Sequence, residues 1–205
     1  MSKERAKKIK MLLLDVDGVM TDGKIFLLPG AGKGSPQQQE KEEHADAGGY
    51  AINGMNVVEG KAFNAHDGTG FSFARLGGLK IGMITKRISE TVALRARDLR
   101  VEHLYQGIAN KREIFEQILV KEGLQADEVA FVGDDVIDLP VMRRCGLAIA
   151  VPNAREEIKD EAHVVTDHAG GDGAVRDAVE YILRAQNKLS DVIEQYISDR
   201  SPVNR

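Results

Sequence analysis

Short unbroken apolar runs and one-sided helical stripes take turns along this chain. The run at 9–14 reads as a buried strand, and so do 79–84, 101–105, 129–132, 147–151 and 163–166. Between them, apolar residues recur three and four positions apart, the spacing of one helix face. Phe71, Phe73, Ala74 and Leu76 predict a helix stopped by Gly77-Gly78. Ser89 caps a helix through Leu99, with Glu90, Arg95, Arg97 and Asp98 among its polar residues. A helix over 111–122 sets Ile114, Phe115, Ile118 and Leu119 on one side and is closed by Gly123. Further helices are predicted at 138–145, at 154–160 and from Ala174 into the 190s. Strands alternating with helices through short connections predict a parallel sheet covered on both faces: α/β, three-layer α/β/α, Rossmann-like. In such sheets ligands bind beyond the carboxyl ends of the strands.

One region breaks the pattern. Residues 24–28 read as a strand, but 29–43 hold Gly30, Gly32, Gly34, Pro36, three glutamines and several charges. Such a stretch cannot bury enough apolar surface to order itself strongly. Residues 45–60 regain Tyr50, Ile52, Met55, Val57 and Val58. The expectation is a β-hairpin excursion over 24–63 with a long tip, the alternative being an insertion without a role. The 205 residues make one domain, 1–205, carrying this elaboration.

Composition narrows the classes. Hydrophobic residues at 42% and charged residues at 29% suit a soluble globular protein. A net charge of -4 argues against general nucleic-acid binding. The single cysteine, Cys145, excludes an internal disulfide and fits a reducing cytoplasm, where it reads as a buried small apolar residue. The basic start (Lys3, Arg5, Lys7, Lys8, Lys10) leads into an apolar run that Asp15 interrupts after six residues, too short for a signal peptide. No run approaches transmembrane length. The expected location is the cytoplasm.

Candidate chemistry lies at the strand ends. The first strand stops in Asp15-Val16-Asp17-Gly18. Bare carboxylates at the end of a core strand are costly unless a cation binds there. A calcium loop does not fit, because Val19 stands at its third ligand position and Phe26 at its twelfth. The next strands are followed by Thr85, by the segment leading to Lys111, and by Asp134, Asp135 and Asp138. Each has an ordinary reading: Thr85 as strand-end filler, Lys111 as a solvated lysine, Asp138 as a helix cap. Together and in order they suit phosphoryl transfer with magnesium, which depends on positioning and charge neutralisation. Asp15 would attack phosphorus, and Asp17 would protonate the leaving oxygen and then activate water. Thr85 would hydrogen-bond a phosphoryl oxygen, and Lys111 would neutralise the same oxygens and hold Asp15. Asp15 and Asp134 by side chain, and Asp17 by its carbonyl, would bind Mg2+. Asp135 and Asp138 would orient water and Lys111 from behind.

These residues resemble the four motifs of the haloacid dehalogenase superfamily of phosphatases: D-x-D-G, Thr, Lys, then G-D-D-x-x-D. Over about 9–190, apart from 29–56, the chain is similar to that superfamily's 3-deoxy-D-manno-octulosonate 8-phosphate phosphatase family. The likeness rests on Asp15-Val-Asp-Gly-Val-Met-Thr-Asp-Gly, Ala62-Phe-Asn-Ala-His-Asp-Gly, Ile84-Thr-Lys-Arg, Leu104-Tyr-Gln-Gly, Gly133-Asp-Asp-Val-Ile-Asp-Leu-Pro-Val-Met and Gly170-Gly-Asp-Gly-Ala-Val-Arg. The resemblance implies a magnesium-dependent phosphatase without a cap domain that makes a lipopolysaccharide precursor. It also implies a homotetramer in which a neighbour's hairpin lids the active site. Substrate contacts would fall on Asp17, Asn64, Ala65, His66, Asp67, Gly68, Ser72, Arg87, Arg95 and Lys111, with an arginine on the sugar's carboxylate. The chain departs from the family at His66, Ser72, Lys86 and Asp172, which bears on the exact substrate rather than on hydrolysis. A phosphatase for another nonulosonate or sugar phosphate is the near alternative. A phospho-accepting module and a non-catalytic oligomeric scaffold are the distant ones.

Overall fold

The computed structural model describes residues 2–29 and 57–198. Among them lies a parallel six-stranded sheet. Its strands are β1 (Met11–Leu14), β4 (Lys80–Ile84), β5 (His103–Tyr105), β6 (Val129–Gly133), β7 (Leu147–Ala150) and β8 (Val164–Val165). They lie in the order β5-β4-β1-β6-β7-β8. The central strand β1 pairs Met11 with Lys80 on one side and with Val129 on the other. Met11 to Leu14 are fully buried, which explains why this strand is unbroken by polar residues. Each such side chain contributes roughly 1.5–3 kcal/mol by leaving water.

The connections are helical. They run through α2 (Ala65–Leu76), α3 (Glu90–Asp98), α4 (Lys111–Glu122), α5 (Leu139–Met142) and α6 (Glu156–Glu161), and α7 (Ala174–Ala185) and α8 (Leu189–Ile197) follow β8. The chain moves outward from β1 to β5 and then returns to β6. Right-handed crossovers therefore place α2 and α3 on one face and α4, α5 and α6 on the other. Accordingly α2 packs against α7 and α8, and α4 against α5. The side chains of Asn64, Ser89 and Asn110 accept N–H bonds from His66, Val92 and Glu113, capping α2, α3 and α4.

Several elements differ from the pattern reading. Helix α2 begins at Ala65 although Gly68 and Gly70 lower its propensity. Gly70 is needed because a Cβ there would lie 2.9 Å from Arg176 Cα, where α7 crosses. The predicted helix at 138–145 is a 3-10 turn, Val136–Asp138, followed by the single turn of α5. The last predicted helix is two, broken at Asn187 with φ 56°. The basic lead-in contains a short helix, α1 (Ser2–Ala6), anchored by Arg5 Nη1 to the Gly146 carbonyl at 2.8 Å.

The excursion begins and ends as an antiparallel pair, β2 (Phe26–Pro29) and β3 (Val57–Gly60), with Phe26 opposite Gly60. Phe26, Leu27, Leu28 and Val58 are exposed on it. Most of the predicted insertion at 29–56 lies outside the described residues. Among the described residues no helix is long and apolar enough to cross a membrane.

Candidate active site

The sheet's strand order reverses between β1 and β6, the position where open α/β sheets open a crevice. Asp15 follows β1 and Asp134 follows β6. The Asp15 N–H donates to the Val132 carbonyl at 3.0 Å, carrying the ladder one step past the strand. Gly18 then turns the chain with φ 88°, and a Cβ on it would overlap the Asp134 carboxylate. Glycine is required there on both counts. The turn is tied from outside. Asn153 Nδ2 donates to the Gly18 carbonyl at 2.8 Å, and Asn153 Oδ1 accepts the Gly170 N–H at 2.7 Å.

Lys111, at the start of α4, is buried between two carboxylates. Its Nζ lies 2.9 Å from Asp15 Oδ1 and 2.7 Å from Asp138 Oδ1. Burial alone would lower its pKa, but Asp15 and Asp138 overcome that and hold it above the ordinary lysine value. Asp138 Oδ2 accepts the backbone N–H of Asp134 at 3.0 Å. Both oxygens of Asp138 are thus engaged. Asp15, Asp134 and Asp138 each offer an oxygen, and these oxygens lie within 4.8 Å of one another.

Burial pushes the Asp15 carboxyl up despite Lys111, with the Asp138 charge adding to the rise. Burial, then the charges of Asp15, Asp138 and Asp135, push Asp134 up to about 8. Asp134 Oδ1 is buried without a hydrogen-bond partner. Carboxylates this unfavourable alone, all oxygen donors, fit a small hard dication.

A second charge cluster closes the other side. Lys61, just past β3, donates its Nζ to Asp17 Oδ1 and lies 3.6 Å from Glu59 Oε1. Arg87 Nη2 binds Glu59 Oε2 at 3.0 Å, and its Nε stands 3.7 Å from Asp17 Oδ2. Burial would raise the Glu59 carboxyl, but bonds from Ser89 and Arg87 and the Lys61 charge leave it lowered. Neither Lys61 nor Glu59 stood out in the sequence. The available signal was their spacing of two, which sets them on one side of an extended strand.

Of the other expected residues, Thr85 is buried at the end of β4, and its Oγ1 accepts the Arg87 N–H at 3.3 Å. Asp135 and Lys86 are exposed. Asn64, Ala65, His66 and Gly68 form the start of α2, with Ala65 and His66 exposed. Asn64 Nδ2 reaches Asp172 Oδ1 at 3.4 Å. Asp67 is buried and its Oδ1 accepts the N–H groups of Val175 and Arg176 at 3.0 and 3.1 Å, capping α7. Burial pushes its carboxyl up to about 6 against those bonds. Ser72 Oγ donates to the Gly68 carbonyl at 3.4 Å. Arg95 Nη1 pairs with Asp98 at 2.6 Å, and its guanidinium stands over the Phe63 ring. Asp15, Lys111, Asp134 and Asp138 are thus brought together, while Asp17 joins Lys61 and Arg87. Asp67, Ser72 and Arg95 are engaged with protein partners.

The chain is similar to known proteins. Residues 85–178 match the model of the haloacid dehalogenase-like hydrolases. The 3-deoxy-D-manno-octulosonate 8-phosphate phosphatase KdsC of Escherichia coli is 37% identical over 94% of this chain and 89% of its own length. The crystal structure of the Moraxella catarrhalis enzyme of that name, in complex with magnesium, phosphate and KDO, superposes with a TM-score of 0.78. It is 32% identical and covers 95% of this chain, with 97% of its own length matched. The Yersinia pestis phosphatase structure gives a TM-score of 0.76 at 36% identity, over 92% of this chain and 88% of its own.

Proposed function

Because the chain belongs to the haloacid dehalogenase-like hydrolases, within the 3-deoxy-D-manno-octulosonate 8-phosphate phosphatases, we propose that it releases phosphate from that sugar acid. The observation that carries this is the meeting of Asp15, Lys111, Asp138 and Asp134 at the sheet's switch point. Asp15 Oδ1 is held by Lys111, which leaves Oδ2 to attack phosphorus in line with the ester oxygen. As the Asp15 oxygen–phosphorus bond forms, the phosphorus–ester bond breaks and Asp17 gives its proton to the departing sugar oxygen. Water then attacks the aspartyl-phosphate, Asp17 takes back a proton, and Asp15 and phosphate separate. Asp15, Asp134 and the Asp17 carbonyl would hold Mg2+, which supplies charge neutralisation for the phosphoryl oxygens. Asp138 fixes Lys111 and, through the Asp134 amide, the loop that carries Asp134. Thr85 and Lys111 bind the phosphoryl oxygens.

The sugar end falls to Arg87, His66 and the start of α2. The exposed Phe26, Leu27, Leu28 and Val58 support a homotetramer in which a second copy's hairpin closes the site. The location is the cytoplasm, where the product feeds lipopolysaccharide precursor synthesis. Asp15→Asn tests the mechanism: magnesium-dependent phosphate release from the octulosonate ester should vanish, and retained turnover refutes the scheme. A panel of octulosonate and nonulosonate phosphates tests the substrate, since His66, Ser72 and Lys86 are positions where the chain departs from the family pattern. Light scattering of the purified chain tests the assembly.

A further inference from the structure

Lys61 is the one member of the charge cluster with no exposed side-chain surface. A buried ammonium is costly unless carboxylates surround it. Here it lies between Asp17 and Glu59, and Glu59 is itself fixed by Arg87 and by Thr91 Oγ1, which donates to the Glu59 carbonyl at 2.9 Å. The two oxygens of Asp17 are therefore unlike. Oδ1 accepts from Lys61, whereas Oδ2 stands 3.7 Å from Arg87 Nε, too far for a hydrogen bond.

Resting on the phosphatase reading, we infer that Lys61 is a positioning residue for proton transfer: by holding Asp17 Oδ1 it fixes the orientation of the Asp17 carboxyl and leaves Oδ2 as the oxygen that meets the ester. With Oδ1 held by an ammonium, which only donates, Oδ2 is the oxygen left to pass a proton to the ester oxygen as the phosphorus–oxygen bond breaks and to take one back from the attacking water. Because Lys61 follows directly on β3, the foot of the hairpin sets this geometry.

The test compares two esters in magnesium. A sugar phosphate leaves as an alkoxide and needs the proton, whereas p-nitrophenolate leaves without one. Lys61→Met should lower kcat/KM, which ends at departure of the alcohol and so excludes the hydrolysis step shared by both esters, at least about tenfold on the octulosonate ester and less than about threefold on p-nitrophenyl phosphate. Lys61→Arg, which restores a donor, should recover most of the loss. A purely structural role predicts equal loss of kcat/KM on both esters. That result, or an unchanged kcat/KM on the sugar ester, overturns the inference. Should circular dichroism show Lys61→Met unfolded, Lys61→Gln and Lys61→Arg carry the same comparison. A wild-type chain inactive on both esters refutes the phosphatase reading instead.

Discussion

Asp138 is engaged by Lys111 and the Asp134 amide, and its removal should be among the most damaging changes in the chain. It is fully buried, with Oδ1 2.7 Å from Lys111 Nζ and Oδ2 accepting the Asp134 N–H at 3.0 Å. Alanine at 138 leaves Lys111 with Asp15 alone and strips the Asp134 amide of its acceptor. Breaking a buried ion pair from one side costs about 3–5 kcal/mol. An orphaned buried amide adds roughly 1 kcal/mol or more. In a chain of this size each kcal/mol moves the melting midpoint by about 2–4 °C, so a fall of at least about 8 °C is expected. Urea unfolding and thermal melts in EDTA measure it without a metal to compensate. The double variant Asp138→Ala/Lys111→Met deletes the pair but leaves Asp15 buried without its cation; its cost should stay below the sum of the two single variants, and it should remain inactive. A single-variant cost under about 1 kcal/mol, or a double-variant cost equal to the sum, refutes the reasoning.

Three further outcomes follow from the geometry. Gly18→Ala places a methyl on the Asp134 carboxylate and strains a left-handed backbone, so magnesium affinity by calorimetry should fall at least about tenfold; unchanged affinity counts against Asp134 as a ligand. In EDTA, the raised pKa values of Asp15 and Asp134 contribute stability that is complete below the ordinary carboxylate pKa of about 4. That contribution is lost as pH rises through about 8. Saturating magnesium should flatten that slope in thermal melts, and a slope indifferent to magnesium refutes a shared site. Asp67→Asn keeps an acceptor for the Val175 and Arg176 amides but removes a buried charge whose pKa stands at about 6. The variant should gain over wild type above that pH and match it below about pH 4, and a difference independent of pH in urea unfolding refutes the assignment.

Much of this was legible in the chain because the sheet is parallel. Strands buried on both faces cannot carry polar residues, so their ends are marked by the first carboxylate, hydroxyl or amine. Asp15, Thr85 and Asp134 announced themselves in that way, and Lys111 followed at the head of its helix. Lys61 and Glu59 did not, because they stand at and just past the end of a strand outside the six-stranded sheet, and their partners, Asp17 and Arg87, are 44 and 28 positions away. Asp67 looked like a substrate contact because it sits in a motif. Its burial against α7 depends on Gly70 letting two helices approach, which no local pattern announces. The break at Asn187 was also hidden, since apolar spacing continues across it into α8.

The pairing of β1 has a kinetic meaning. Met11 waits for Lys80, 69 positions later (80 − 11), and for Val129, 118 positions later (129 − 11). Bringing such distant segments together is the slow part of folding. Asp15 is made early in synthesis but acquires Asp134 and Asp138 only when the far half of the chain arrives. Turnover is thus a reporter of completed assembly: recovery of activity after dilution from denaturant should track the last phase of refolding and lag the return of helical signal.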